Sequence, residues 1–299
     1  MNVVIAIPID KTLADFIGKG SPEGSINIYT RKLGEGTIVG LMPASIDEKF
    51  GSLAECLLLS SQVVISTREI NSAFGEVLIG AALLGKRIIF TDDNSVDDYV
   101  KNLKIQNFEV LGKDSLLASI ISHGKESAGE DVRIDIDKAF PVKGIGSVAL
   151  GVVTKGKLTV HQELYHTDGN LVMIKSIQSH DVDVNEADTG TRVGVALKGI
   201  EYDRISKGDL LTTKQVPKVT VVKVKMKLSE VNKEDVQAGG RYSIVSNFSE
   251  SIVKVDSVSG DEITLKLEKQ LPLAAGDECL LIRDKKPRIF AACSILSAN

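Results

Sequence analysis

Residues 140–160 read FPVKGIGSVALGVVTKGKLTV. Gly144, Gly146, Gly151 and Gly156 punctuate two runs of alternating apolar residues, 147–154 and 157–165. A period of two marks strands buried on one face. The glycine of Lys155-Gly156 supplies the positive φ that a tight hairpin needs. Working outward, a second hairpin turn stands at Thr167-Asp168-Gly169-Asn170, with strands predicted over 171–178 and 192–197. Short strands at this spacing, split by turn residues, predict a small β-barrel or sandwich.

The 299 residues leave room for two or three domains, each with its own core. Upstream of the barrel, strands are predicted over 3–7, 37–41, 62–66, 87–90 and 108–111. Between them lie stretches of helical spacing such as Ala73, Val77, Ala81 and Leu84, or Leu116 and Ile120. Strand and helix in alternation predict a doubly wound, largely parallel sheet. The small polar segment GKESAGED, 124–131, marks a linker. Downstream, β-rich stretches at 220–228, 241–246, 251–258, 262–267, 278–283 and 289–296 predict a second barrel. The expected class is α/β plus all-β, divided as an α/β domain over 1–126 and two barrels over 127–216 and 217–299.

Charge narrows the partners. Lys and Arg total 36 against 40 Asp and Glu, and the net charge of −4 is spread without a strongly basic block. Tight, sequence-independent nucleic-acid binding draws most of its affinity from phosphate neutralisation, so composition alone gives no such footprint. Cys56, Cys279 and Cys293 offer neither metal-ligand spacing nor a disulfide framework and are expected as buried free thiols. No apolar run reaches membrane-spanning length. The chain is expected in the cytoplasm, without a membrane partner, DNA or a bound metal.

Three blocks carry a resemblance: FPVKGIGSVALGVVTKGKLTV, then KSIQSHDVDVNEADTGTRVGVALKGI over 175–200, then ISKGDLLT over 205–212. In this order they resemble the second domain of translational GTPases, the family of elongation factor Tu and elongation factor 1-alpha, and within it the selenocysteine-specific elongation factor. The ending LKLEKQLPLAAGDECLLIRDKKPRIFAACSIL resembles the third domain of the same factors. The resemblance implies a GTPase-type domain at the front, followed by two barrels.

The front lacks the family's chemistry. A P-loop, GxxxxGK[ST], curls backbone N–H groups around phosphates at a helix N-terminus. Here the strand runs into Pro8-Ile9-Asp10-Lys11-Thr12. Lys11 and Thr12 stand where the motif's last pair belongs, but Asp10 replaces the glycine before them. Pro8 has no N–H, and the β-branched Ile7 and Ile9 resist the backbone angles of a phosphate nest. Where the family carries Asp-Ala-Pro-Gly-His, this chain has Leu41-Met42-Pro43-Ala44-Ser45, without the Asp that holds the magnesium shell or the His that positions water. Where NKxD selects guanine, the chain has Thr91-Asp92-Asp93-Asn94, and an amide at Asn94 offers one acceptor where two are wanted. The expectation is a pseudo-GTPase with no cofactor, Lys11, Thr12, Asp92, Asp93 and Asn94 being remnants.

The family seats the aminoacyl end of tRNA between its first two domains. The resemblance puts Gln178, Ser179, His180 and Asp181 there. Gln178 and His180 are candidate RNA contacts, while Asp181, Asp183, Glu186 and Asp188 repel phosphate. Lys223, Lys225 and Lys227 alternate with Val222, Val224 and Met226, placing three ammonium groups on one strand face. With Lys285, Lys286 and Arg288 in a later turn they form a candidate phosphate-contacting surface, against the plainer reading of a lysine row that protects an edge. His161 and His166 read as surface residues of one hairpin rather than metal ligands. The expected function is a nucleotide-independent relative of the elongation factors that engages tRNA or another RNA, the ribosome or a translation factor. Two alternatives stand: a GTP-binding factor with unorthodox motifs, using GTP or GDP with Mg²⁺, and a protein-interaction scaffold.

Overall fold

The computed structural model of the chain describes residues 2–34, 36–46, 50–92, 95–124 and 129–299. The front unit runs β1 (Asn2–Ala6), α1 (Lys11–Ile17), β2 (Lys19–Glu23), β3 (Ile26–Leu33), β4 (Gly36–Pro43), α2 (Gly51–Leu59), β5 (Gln62–Ser66), α3 (Ser72–Leu83), β6 (Arg87–Thr91), α4 (Asp97–Asn102), β7 (Phe108–Val110) and α5 (Lys113–Ser122). Its sheet has the order β2-β3-β4-β1-β5-β6-β7. From β4 to β7 the strands are parallel, and β2 and β3 add an antiparallel edge.

Because successive strand residues point to opposite faces, the hydrophobic run of β1 serves two cores. Val3 and Ile5 pack with Leu13 and Ile17 of α1 and Leu116 and Ile120 of α5. Val4 and Ala6 pack with α2 and α3 on the other face. The sheet is therefore doubly wound, as expected. The β2–β3 hairpin was not expected; β2 forms the edge of the sheet.

The middle unit contains β8 (Arg133–Val142), β9 (Gly146–Lys155), β10 (Lys157–Thr159), β11 (Glu163–His166), β12 (Leu171–Ser179), β13 (Val182–Val184), β14 (Glu186–Asp188), β15 (Arg192–Lys198) and β16 (Leu210–Thr212). A sheet of order β11-β16-β8-β9-β15-β12-β13 is closed into a barrel by the pairing of β11 with β12. The turn at 167–170 joins β11 to β12, as expected. Lys155-Gly156 is not a hairpin, which corrects the sequence expectation. β9 pairs with β8 and β15, whereas β10 pairs with β14. Gly156 does have positive φ, 68°, and a Cβ there would lie 2.4 Å from the Asp131 carbonyl oxygen. The run 157–165 is likewise two strands, broken at His161 with φ 69°.

The last unit is a closed barrel of order β17-β20-β19-β18-β21-β22. Its strands are β17 (Lys218–Leu228), β18 (Arg241–Ser246), β19 (Ser249–Ser259), β20 (Glu262–Pro272), β21 (Glu278–Ile282) and β22 (Ile289–Ala298), the six expected. The three cysteines are free and buried, with Cys279 and Cys293 facing each other across β21 and β22. Among the described residues no helix is long and apolar enough to cross a membrane.

The units share one core. The α2 and α3 face of the front unit continues into Val152 of the first barrel and Val245, Leu280, Ile282 and Ile289 of the second. Gly80 lets α3 approach: a Cβ there would stand 2.5 Å from Leu57 Cδ1 and 2.7 Å from Ile289 Cδ1.

Candidate functional site

The crevice between the carboxyl ends of β1 and β5, where connections leave the sheet in opposite directions, is where ligands of such sheets bind. Here it is a small cleft of about 190 Å³ lined by Ile9, Asp10, Lys11, Thr12, Ser66, Arg68 and Glu69. Asp10 caps α1, and its carboxylate accepts the Leu13 N–H at 2.9 Å. That cap places a fixed negative charge at the helix end, where the dipole and free N–H groups would otherwise favour an anion. Lys11 points to solvent and pairs with Asp15 at 3.0 Å, one helical turn on.

Leu41 is fully buried in the core under α2. Asp92, with φ 72°, accepts hydrogen bonds from Ser66 Oγ at 2.8 Å, Arg68 Nε at 2.9 Å and Thr91 Oγ1 at 3.0 Å. Burial pushes its pKa up, but the hydrogen bonds from Ser66 and Arg68 outweigh that and hold the carboxyl below its ordinary range. The side chain is thus turned onto the end of β5. Asp93 and Asn94 lie outside the described residues.

Gln178 is exposed and donates to Asp183 at 2.9 Å. His180 and Asp181 are the two central residues of the turn between β12 and β13, both with positive φ, 54° and 61°. Two consecutive left-handed residues are what a two-residue hairpin of the primed type requires. The lysine row of β17 lies as expected, with Val222 and Val224 buried and Lys223, Lys225 and Lys227 exposed. Lys223 pairs with Glu262 at 2.5 Å and Lys225 with Asp261 at 3.5 Å.

Two expectations change. The turn after β21 is not one phosphate-facing surface, because part of it faces the front unit. Lys285 pairs with Glu234, Lys286 Nζ donates to Ser72 Oγ at 3.0 Å, and the Arg288 guanidinium sits 4.2 Å from the centroid of the Phe50 ring. His166 is not a surface residue. It is 1% exposed, with Nδ1 2.9 Å from Asp168 and Nε2 3.2 Å from Asp209.

Folding also creates a site that sequence reasoning missed. A cleft of about 690 Å³ opens where the three units meet, with Lys207 from the first barrel, Arg241, Arg283 and Arg288 from the second, and Glu55 of α2 on its walls. Lys207 pairs with Glu55 at 2.8 Å and donates to Ser25 Oγ at 2.8 Å. Burial raises the Glu55 pKa, and Lys207 opposes that shift. Residues from positions 25 to 288 converge here, a grouping no local motif announces. Among the described residues no cluster of His, Cys, Asp and Glu has the makings of a metal site.

A family model of elongation factor Tu domain 2 matches residues 146–212. The chain is similar to an uncharacterized protein of Methanocaldococcus jannaschii, 29% identical and covering 92% of each chain. It is also similar to the selenocysteine-specific elongation factor of the same organism, 25% identical over 90% of this chain and 65% of that protein. It thus spans about two thirds of that factor's length. Among solved structures, translation elongation factor SelB from Methanococcus maripaludis, in complex with the GTP analogue GppNHp, superposes with a TM-score of 0.81 at 19% identity. The match covers 100% of this chain and 79% of that one.

Proposed function

The chain is a relative of the translational GTPase elongation factors, and from that premise we propose that it acts without a nucleotide cycle, as a tRNA-, RNA- or ribosome-associated factor of the translation apparatus. The observation that carries this reading is the Asp10 cap, whose carboxylate takes the Leu13 N–H in the crevice where the family's phosphate loop would lie. Leu41 in the core and Asp92 tied to Ser66 and Arg68 support it at the other two motif positions. A pseudo-GTPase keeps the scaffold and presents surfaces rather than a switch.

Cationic surface supports the RNA side. Lys223, Lys225 and Lys227 share one face of β17, and Lys207, Arg241 and Arg283 line the junction cleft together with Glu55, Glu250 and Asp284. The test is a fluorescence titration of labelled tRNA at several salt concentrations with the native chain and with Lys223→Glu/Lys225→Glu/Lys227→Glu. Each lysine engaged on phosphate releases counterions, so the native affinity falls with salt, and the triple variant binds roughly tenfold or more weakly with a log–log slope shallower by about 3. A flat native titration at low salt counts against RNA and favours the protein-interaction scaffold. A second reading, a GTP-binding factor with unorthodox motifs, draws on the position of Lys11 and Thr12 beside the crevice.

A further inference from the structure

Two surface features at opposite ends of β12 complement each other. Beside its first residues an open groove of about 640 Å³ is lined by Ile145, Lys175, Lys198 and Arg204, with Glu201 in its wall. Ile145 stands in the turn between β8 and β9, flanked by two glycines of positive φ, Gly144 at 82° and Gly146 at 102°, and is 42% exposed. Leu171 faces outward at the start of β12, because Val172 and Ile174 take the inner face. Its carbonyl borders Gly199, which also lines the groove. Arg204 is engaged by Asp168 at 2.7 Å. Lys175 Nζ donates to the Ile145 carbonyl at 2.7 Å, which uses one of its three N–H groups and leaves its charge without a carboxylate. Lys198, opposite Met173 in register, forms no salt bridge among the described residues. The groove is aliphatic surface with an excess of positive charge.

At its other end β12 turns through His180 and Asp181 into β13. Val182 there is 61% exposed, more than any other large apolar side chain among the described residues. Asp181 and Asp183 flank it, and both are exposed. Asp183 accepts the Gln178 amide at 2.9 Å, and neither carboxylate forms a salt bridge among the described residues. Glu186, further along the same segment, differs, since Lys157 pairs with it at 2.9 Å. A bare valine between two unneutralised carboxylates is the counterpart of a bare isoleucine beside two unneutralised ammonium groups.

We propose that a second copy of this chain docks its 181–183 turn in the groove, with Val182 against Ile145 and with Asp181 and Asp183 meeting Lys175 and Lys198. Groove and turn are different surfaces, so the contact is head-to-tail: every copy that uses its turn still has a groove to offer. Copies are therefore added in a row rather than closed into a pair. A single turn is smaller than a permanent interface, so the association is weak and reversible. Its ion pairs lie at the surface, so salt weakens it.

The test is sedimentation equilibrium of the intact chain up to about 1 mM protein, at about 25 mM and about 500 mM salt. Two charge reversals accompany it, Lys175→Glu/Lys198→Glu and Asp181→Lys/Asp183→Lys. The native chain is expected to gain average mass with concentration at low salt and to lose that gain at high salt. Each variant alone is expected to stay a monomer, because its groove and turn then carry like charge. Mixed in equal amounts the two variants are expected to associate again. The acidic turn of the first then meets the basic groove of the second, and the basic turn of the second meets the acidic groove of the first. Asp181 holds φ 61°, which lysine adopts less readily than aspartate, so Asp183→Lys alone serves should the double variant fold poorly. A native chain that is monomeric throughout overturns the proposal and leaves the groove to a different protein or to RNA. Association that either variant keeps alone, or that the mixture fails to restore, overturns it as well.

Discussion

Arg133→Ala is expected to destabilise the chain by about 3–5 kcal/mol, read as a lowered urea midpoint, because it strands two buried carboxylates. Arg133, 8% exposed on β8, forks onto Asp135 through Nε at 3.0 Å and Nη2 at 3.1 Å. Its Nη1 crosses to Asp277 of the second barrel at 2.7 Å. Asp135 and Asp277 are only 2% and 8% exposed. Asn247 from the second barrel also donates to Asp135, at 2.8 Å. The network closes the joint between the barrels, and its charges survive burial only as a set. The control follows: Arg133→Met/Asp135→Asn/Asp277→Asn removes all three charges together and is expected to recover more than half of the loss, since much of the single-variant cost is the unpaired charge. A triple variant no better than Arg133→Ala would show that the pairing itself carries the stability.

Glu76→Ala is expected to release the front unit from the second barrel. Glu76, 3% exposed on α3, accepts the Arg288 N–H at 2.7 Å and the Ile289 N–H at 3.1 Å, at the start of β22. Around it the contact is apolar, with Leu57 and Ile289 closing on Gly80. A buried donor left without a partner costs about 1–3 kcal/mol, so two orphaned amides give about 2–6 kcal/mol at this joint. Limited proteolysis reads it directly, as accelerated loss of the front unit with the barrels kept. Glu76→Gln keeps a carbonyl acceptor and is expected to fall between native and alanine. Equal protease resistance in all three proteins would remove Glu76 from the joint.

Much of the fold is legible because it is written in local periodicity. In the last barrel β17, β19 and β20 alternate buried with more exposed residues along much of their length, as in β17, with Val222 and Val224 inside and the lysines outside. The parallel strands of the front unit read as apolar runs because helices cover both faces. What escapes is non-local. The edge strand β2, KGSPE, carries no apolar alternation, and His161 breaks what reads as one strand into two. His166 stands beside turn residues in sequence, and its partner Asp209 lies forty-three residues away. Lys286 and Arg288 read as a free basic turn until folding brings Ser72, Glu76 and Phe50 against them. The departures from the family's motifs at Asp10 and Leu41 are legible, since a P-loop depends on contiguous backbone chemistry. The junction cleft is not, since its cations come from both barrels.

The most direct measurement is calorimetric titration of the intact chain with GTP, and separately GDP, each with Mg²⁺. With the Asp10 carboxylate on the α1 N-terminus and no N–H at Pro8, neither nucleotide is expected to give saturable heat up to about 1 mM, a binding free energy weaker than about −4 kcal/mol. Tight, magnesium-dependent binding of either nucleotide that Lys11→Ala abolishes would contradict this and place the chain among working switches.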